Sequence, residues 1–275
     1  MISEGIACAL NDSAQGVLVD GVPKAGADVL TEALTNGEAT EILRGANSGL
    51  KPDLSRRGYR FVKRVFDIVA SSAAIAVLLV PGVILSIVIY VRSPGASPLY
   101  SQLRVGRLRK DGTYKLFRMW KFRSMVPNAD EMLADLRDRN EADGPLFKIK
   151  DDPRIVPGIG AFIRRHSIDE LAQLLNVLTG DMSLIGPRPA LPAEVVQYDE
   201  RARRRLTVKP GCGGAWQVGS RSDSTFEEMV DLDLDYADRA SVAHDLKLVF
   251  GTVLTMIRGG GEPTRSLLSP CATGC

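Results

Sequence analysis

From Ile68 to Val91 the chain holds 24 residues without a charged side chain, interrupted near the middle by Pro81-Gly82. As a helix this stretch would rise roughly 36 Å, enough for a hydrocarbon core of about 30 Å. Basic residues crowd both flanks: Arg56, Arg57, Arg60, Lys63 and Arg64 before it, then Arg92, Arg104, Arg107, Arg109 and Lys110 after it. Clustered Lys and Arg mark the cytoplasmic side of a membrane, so both flanks are assigned there, which a single crossing cannot satisfy. Proline removes a backbone donor and clashes with the preceding turn, and a glycine follows. The pattern therefore predicts two short helices that enter and leave the same leaflet, a re-entrant hairpin. An ordinary span kinked at Pro81 is the competing reading, because membrane helices tolerate proline.

Elsewhere the periodicity predicts a mainly helical α+β fold: a membrane-associated, monotopic body with a small β-hairpin. Residues 1 to about 55 contain no aromatic side chain and only short helical stretches such as Asp28 to Leu34, so residues 1–57 read as a mobile extension. Gly58 to Asp67 is basic and amphipathic, an interfacial lead into the membrane segment, which closes near residue 92. Leu99 to Leu103 and Thr113 to Arg123 read as strands around the turn signal Lys110-Asp111-Gly112. Alternation puts Lys115, Lys121 and Arg123 on one face and Tyr114, Leu116, Trp120 and Phe122 on the other. The cationic face is either a solvated edge or a binding surface. Further helices are predicted over Ala129 to Ala142, through Phe162 and Ile163, and over Ser167 to Leu178, Pro192 to Leu206, Ser224 to Asp238 and Ser241 to Ile257. Residues 93–258 thus form the body, and 259–275 a flexible tail.

The 275 residues suffice for one domain, or two, with a sizeable core. Mean hydropathy is near zero because one apolar segment offsets a charged remainder. The net charge of +2 is unevenly spread, with acid in excess over the first 50 residues and base in excess after them. That distribution suits phosphate or lipid headgroups. No basic run is interleaved with stacking aromatics, so nucleic acid is not an expected partner. Cys8, Cys212, Cys271 and Cys275 form no C-x-x-C pair and only His166 and His244 are present, which argues against a zinc site and for reduced thiols. The N-terminus does not read as a secretory signal.

Phosphate-cradling glycine fingerprints and the G-x-S-x-G elbow are both missing, leaving carboxylates and arginines to carry any reaction. Ser167-Ile168-Asp169-Glu170 has the spacing of a capping box. Alternatively, Asp169 and Glu170 sit in a first helical turn whose dipole favours ionised carboxylates; an ionised Asp can act as a nucleophile, and hard oxygens suit Mg²⁺. Arg164 and Arg165 lie just upstream. In Gly186-Pro187-Arg188-Pro189 two prolines fix the backbone of one arginine, either as a structural turn or as a pre-set phosphate grip. Arg201 to Arg205 reads as a solvated or membrane-facing helix side, Arg221 is ambiguous, Cys212 and Trp216 read as packing residues, and Asp151 and Asp152 as caps of the turn at Pro153.

Taken in order, K-R-x-F-D, S-P-G, K-F-R-S-M, D-P-R, S-I-D-E-L, N-V-L-x-G-D-M-S-L-I-G-P-R-P, V-K-P-G and W-Q-V resemble the bacterial sugar transferases, the monotopic phosphoglycosyl transferases. The resemblance covers about Lys63 to Ile257. It implies that Asp169 is the nucleophile toward a UDP-sugar, that Glu170 positions Mg²⁺, and that Arg164, Arg188 and Arg221 contact phosphate or nucleotide, with Lys121 and Arg123 near the site. It further implies polyprenyl phosphate as acceptor, a lipid bilayer as support, and the cytoplasmic face of a bacterial inner membrane as location. A homodimer is compatible with it. Three departures stand out: Val80 where Ser is frequent, Ala172 where Pro is common, and Cys212-Gly213-Gly214 for I-T-G, which is expected to loosen that bend. Two other functions stay open on the residues alone, an inert membrane adaptor and a single-span nucleotide-sugar phosphodiesterase.

Overall fold

The computed structural model describes residues 18–19, 22–23, 36–129, 131–139, 149, 151–218 and 225–258. The stretch Asp28 to Leu34, read as helical, lies outside them. Leu18–Val19 (β1) and Val22–Pro23 (β2) form a short antiparallel pair.

Helix α1, Asn36–Gly45, falls within the stretch read as a mobile extension and packs on the body; this departure concerns residues 36–57 alone. Ala39, Leu43 and Ala46 are buried in the largest apolar cluster, against Val105, Leu108, Val195, Tyr198 and Leu206. Sparse aromatic content hid this, because small residues and one leucine suffice to cover a helix-sized groove. Beyond α1, Asn47 donates to the Asp111 carbonyl at 2.8 Å, so residues up to about 50 hold the hairpin turn. Gly112 sits there at φ +86°, the backbone the turn requires.

Helix α2, Arg57–Arg92, is one 36-residue element, so the interruption expected at Pro81 does not end the helix. A proline inside a helix costs one hydrogen bond and some local clash, which a long apolar helix absorbs. Four residues on, the Ser86 hydroxyl donates to the Gly82 carbonyl at 2.8 Å. Only 6% of its most apolar stretch is buried, leaving Val77, Leu79, Val80, Val83, Ile84, Ile87 and Val91 exposed. Both flanks of this stretch are fastened to the same body. Arg64 donates to the carbonyls of Val177 and Leu178 at 2.6 and 2.8 Å, and the buried Asp67 accepts from the Ser183 hydroxyl and the Leu184 N–H, each at 3.0 Å. At the far end Ile89 is fully buried, and Arg123 donates to the Ser93 and Ala96 carbonyls.

The hairpin pairs β3, Leu99–Val105, with β4, Leu116–Phe122, from Leu99 opposite Phe122 to Val105 opposite Leu116. Its inner face carries Phe117 and Met119, both buried, and continues through Lys121; Arg118 and Trp120 point outward. The cationic face is therefore the inward one. A 3-10 helix, Glu131–Arg139, replaces part of the α-helix expected from Ala129 to Ala142. After α3, Gly160–Arg165, come a 3-10 helix, Ile168–Gln173, and α4, Leu174–Thr179.

Strand β5, Ser183–Ile185, pairs in parallel with β6, Gly211–Gly213. Between them lie α5, Pro192–Val195, α6, Glu200–Arg203, and the 3-10 turn Arg204–Thr207, where one continuous helix was expected. Gly186 and Gly211 face each other so closely that a Cβ on either would collide with the other's backbone. The Gly-Pro-Arg-Pro loop and the Gly-rich bend are thus one joint, tight rather than loosened. Gly213 has no side chain where the Thr252 side chain fills the space. Helices α7, Ala215–Val218, α8, Phe226–Arg239, and α9, Val242–Arg258, close the body, with Thr225 and Glu228 forming the capping box of α8. On α9 the exposed Val242, Leu246, Phe250, Val253 and Ile257 make one apolar stripe.

Candidate active site

A cavity of about 340 Å³ opens where β4, the 3-10 helix Ile168–Gln173, the Pro-Arg-Pro loop and β6 meet. Its acidic floor is Asp169 and Glu170, and its walls carry Arg104, Lys121, Arg164 and Arg188. Four of the resemblance-implied residues with Asp169 therefore come together: Glu170, Lys121, Arg164 and Arg188.

Ser167 does not cap the acidic turn as its spacing suggested. It adopts φ 53°, ψ 29°, a left-handed conformation, and makes no side-chain cap bond; the Glu170 N–H goes to the Ser167 backbone carbonyl at 3.1 Å. The residue closes α3, with its own N–H bonded to the Arg164 carbonyl, and so it reverses the chain and delivers both carboxylates to the cavity. The acidic turn is also only six residues of 3-10 helix, too short for a dipole to dominate. Contrary to the expected dipole effect, the Asp169 carboxyl lies above its ordinary value. Burial is the largest cause, Lys121 and Arg164 act against it, and Glu170 adds to it.

Lys121 holds the acidic pair. Its Nζ is 2.9 Å from Glu170 Oε1 and 3.6 Å from Asp169 Oδ2. Asn176 fixes the strand that presents it, accepting from the Trp120 N–H at 2.9 Å and donating to the Arg118 carbonyl at 2.7 Å. Removing the ammonium in Lys121→Gln raises the Asp169 carboxyl further, because the strongest influence favouring its charged form is lost. For a nucleophile that acts ionised, the acid limb of the pH–rate profile then moves to higher pH. A profile unchanged in its acid limb would contradict this role for Lys121.

Arg188 is held from two sides: its Nη1 lies 3.2 Å from both oxygens of buried Glu194, and its guanidinium stands 5.9 Å from the centre of the Trp216 ring. Burial, the largest single influence, opposes its charge, and Glu194 and Tyr198 together outweigh it and keep its pKa raised. Glu194, pushed up by burial, is pulled below the ordinary carboxylate range by Arg188 and Arg104. Beneath the loop, Arg205 bonds Asp233, Tyr198 and the Arg188 carbonyl.

Arg123 is not in the cavity. It lies one residue past the end of β4, where its guanidinium meets the Ser93 and Ala96 carbonyls and so secures the end of α2. Arg221 lies outside the described residues. Trp216 and Cys212, read as packing residues, line the cavity, and the Trp216 indole N–H is buried with no acceptor among the described residues. Burial raises the Cys212 thiol, which keeps it protonated and inert. Arg104 was legible only as a flanking charge. It reaches the cavity because β3 places it beside the Pro189 carbonyl, 3.0 Å away, and burial with Arg188 pushes it down to about 10. Arg205 was read as solvated and is instead buried, while Arg201 pairs with Glu227 and Asp231 on α8.

Among the described residues no group of three or more His, Cys, Asp and Glu side chains could enclose a metal. Two adjoining carboxylates do fit Mg²⁺, which takes one or two protein oxygens and leaves its other positions to water and phosphate.

Residues 58–259 match the family described as bacterial sugar transferase. The chain belongs to this family. It is 42% identical over 201 residues to the galactosyl transferase CpsE of Streptococcus agalactiae, covering 72% of this chain and 43% of that one. It is 39% identical over 221 residues to the undecaprenyl-phosphate galactose phosphotransferase of Salmonella typhimurium, covering 77% and 44%. The exopolysaccharide production protein ExoY of Rhizobium meliloti is 35% identical over 195 residues, covering 70% and 83%. This sugar transferase chain thus spans less than half the length of the first two and most of the third. Its family match begins at Gly58 and takes in α2, the acidic floor, the Pro-Arg-Pro loop and α9.

Proposed function

We propose that the protein transfers a sugar phosphate from a UDP-sugar to polyprenyl phosphate. One observation carries this reading: a buried Asp169 and a partly exposed Glu170 bridged by one lysine at the floor of a cavity walled by three arginines, in a chain of the sugar transferase family. Four cations facing two carboxylates leave positive charge for a diphosphate. An Asp169 oxygen attacks the phosphorus that bears the sugar, the bond to the bridging oxygen breaks, and UMP leaves with that oxygen. A phosphate oxygen of the lipid then attacks the aspartyl phosphorus, giving a polyprenyl diphosphate sugar and returning the carboxylate. Arg164 and Arg188 hold the phosphates, and Arg104 backs them. Glu170 would hold Mg²⁺, whose charge offsets that of the diphosphate. An inert adaptor would have no use for a buried Asp169 kept beside Lys121.

The same reading makes α2 re-entrant. A helix whose two ends are bonded to one body cannot place those ends on opposite sides of a bilayer. Asp67, bonded to Ser183 and Leu184 of β5, and Ser93, bonded to Arg123 just past β4, are such anchors, and the ring of Phe122 lies 3.6 Å from where a Cβ of Gly82 would stand. The apolar stripe of α9 supports the same seating on a membrane surface. The site then works at headgroup depth, on the cytoplasmic side where nucleotide sugars are found. The experiment is UMP release with purified protein, Mg²⁺, polyprenyl phosphate and a panel of UDP-sugars. Release that requires both a UDP-sugar and Mg²⁺ is expected with at least one donor, and no release with any donor would overturn the assignment.

A further inference from the structure

A second cavity, of about 310 Å³, lies under the first turns of α2 and shares no lining residue with the acidic one. Six cationic side chains line it: Arg56, Arg60, Lys63, Arg64, Arg107 and Lys209. Three of them, Arg60, Arg107 and Lys209, also wall an adjoining cavity of about 440 Å³. The two acids present are already engaged, Asp53 with Arg56 at 3.1 Å and Asp67 with Ser183 and Leu184. Lys63 is paired with Asp245 at 2.9 Å. Arg60 and Arg64 donate to backbone carbonyls, which orient a guanidinium without neutralising it. Arg107 and Lys209 have neither a hydrogen bond nor an ion pair among the described residues. Burial, then Arg64 and Arg107, push Lys209 down to about 8, the mark of a cation kept among cations. The cations are half-exposed rather than fully buried, but six of them converge on one cavity whose two acids are already engaged, and an anion joining them would relieve their mutual repulsion.

We infer that this cavity binds the phosphate of an anionic phospholipid headgroup, at a site separate from the one where sugar transfer is proposed. Chemistry favours phosphate, which accepts from guanidinium and ammonium donors at once. Position favours a lipid source. The turns of α2 that supply Arg60, Lys63 and Arg64 also carry Phe61 and Val65, 72% and 45% exposed, at the start of the apolar stretch where acyl chains would lie. A headgroup seated there would neutralise the cluster and fix the depth and tilt at which α2 starts.

The test is native mass spectrometry of the full chain released from nanodiscs of phosphatidylcholine with a minor fraction of phosphatidylglycerol. The parent is expected to retain phosphatidylglycerol about tenfold above its bulk ratio. R107Q/K209Q should fall to the bulk ratio, while D169N and R118Q keep the enrichment; R107Q alone, at a half-exposed position, gives a partial loss and serves if the double variant does not fold. Enrichment equal in parent and R107Q/K209Q would overturn the inference. So would an unenriched parent whose thermal midpoint rises with inorganic phosphate and whose R107Q/K209Q variant does not respond, since the site would then take free phosphate. Neither readout depends on turnover, so failure here is distinct from failure of the proposed transfer.

Discussion

Asp169→Asn is expected to lower UMP release by at least about 10³-fold, with donor KM changed far less than kcat. The amide keeps the shape of the carboxyl and can still accept from Lys121, so folding and the cavity walls are retained. On the proposed route what is lost is the attacking oxygen, and no neighbour can replace it. Glu170 is one residue along and its Oε1 is bonded to Lys121 at 2.9 Å, and the Cys212 thiol is held protonated by burial. Steady-state rates with saturating donor, acceptor and Mg²⁺ would settle the matter. A variant within tenfold of the parent would mean that Asp169 only positions substrate.

Arg205→Met should give the largest loss of stability. Arg205 is 2% exposed and bonds Asp233, itself fully buried, at 2.6 and 2.8 Å. Removing the cation leaves a buried carboxylate alone, which costs about 3–5 kcal/mol. For a chain of this size that corresponds to a fall in thermal midpoint of roughly 10 °C. The pH dependence has a definite sign. Burial already holds the Asp233 carboxyl above its ordinary value and Arg205 works against that. Without Arg205 the folded-state value rises further above the unfolded one. The penalty therefore grows as pH rises through the carboxylate range and fades toward acid, where Asp233 is protonated in both states. Circular dichroism melts at pH 5 and pH 8 should show the greater loss at pH 8, and R205M/D233L should regain most of it. Loss of transfer activity should accompany the single variant, because Arg205 also bonds the Arg188 carbonyl. A midpoint within 2 °C of the parent at pH 8 would show that the pair contributes little.

Much of the site was legible because its parts are local in sequence. Asp169-Glu170 and Pro187-Arg188-Pro189 are runs of a few residues whose backbone is set by their neighbours, whereas strand alternation put Lys121 only on a cationic face, and its place near the site came from the family resemblance. Residues whose role depends on distant partners were misread. Arg123 shares a strand face with Lys121, yet its carbonyl acceptors belong to the chain leaving α2, some 30 positions earlier. Arg205 sits in an arginine run that reads as a wet helix side, and only Asp233 on α8, with Tyr198 in the connection between α5 and α6, turns it inward. Ser167 has the spacing of a cap, but the preceding helix, expected through Phe162 and Ile163, runs on to Arg165 and takes the Ser167 N–H at the Arg164 carbonyl. In the fold, the hairpin, the apolar helix and the two final helices followed from periodicity. Helix α1 did not, since three small or single apolar contacts leave a weak pattern.

The most direct measurement is intact-protein mass spectrometry after brief exposure to an accepted UDP-sugar and Mg²⁺ without lipid acceptor, quenched in acid. A mass increase of one sugar phosphate that maps to Asp169, is absent in Asp169→Asn and disappears on adding polyprenyl phosphate is the expected result. An unmodified protein that nonetheless turns over donor and acceptor together would contradict the covalent route.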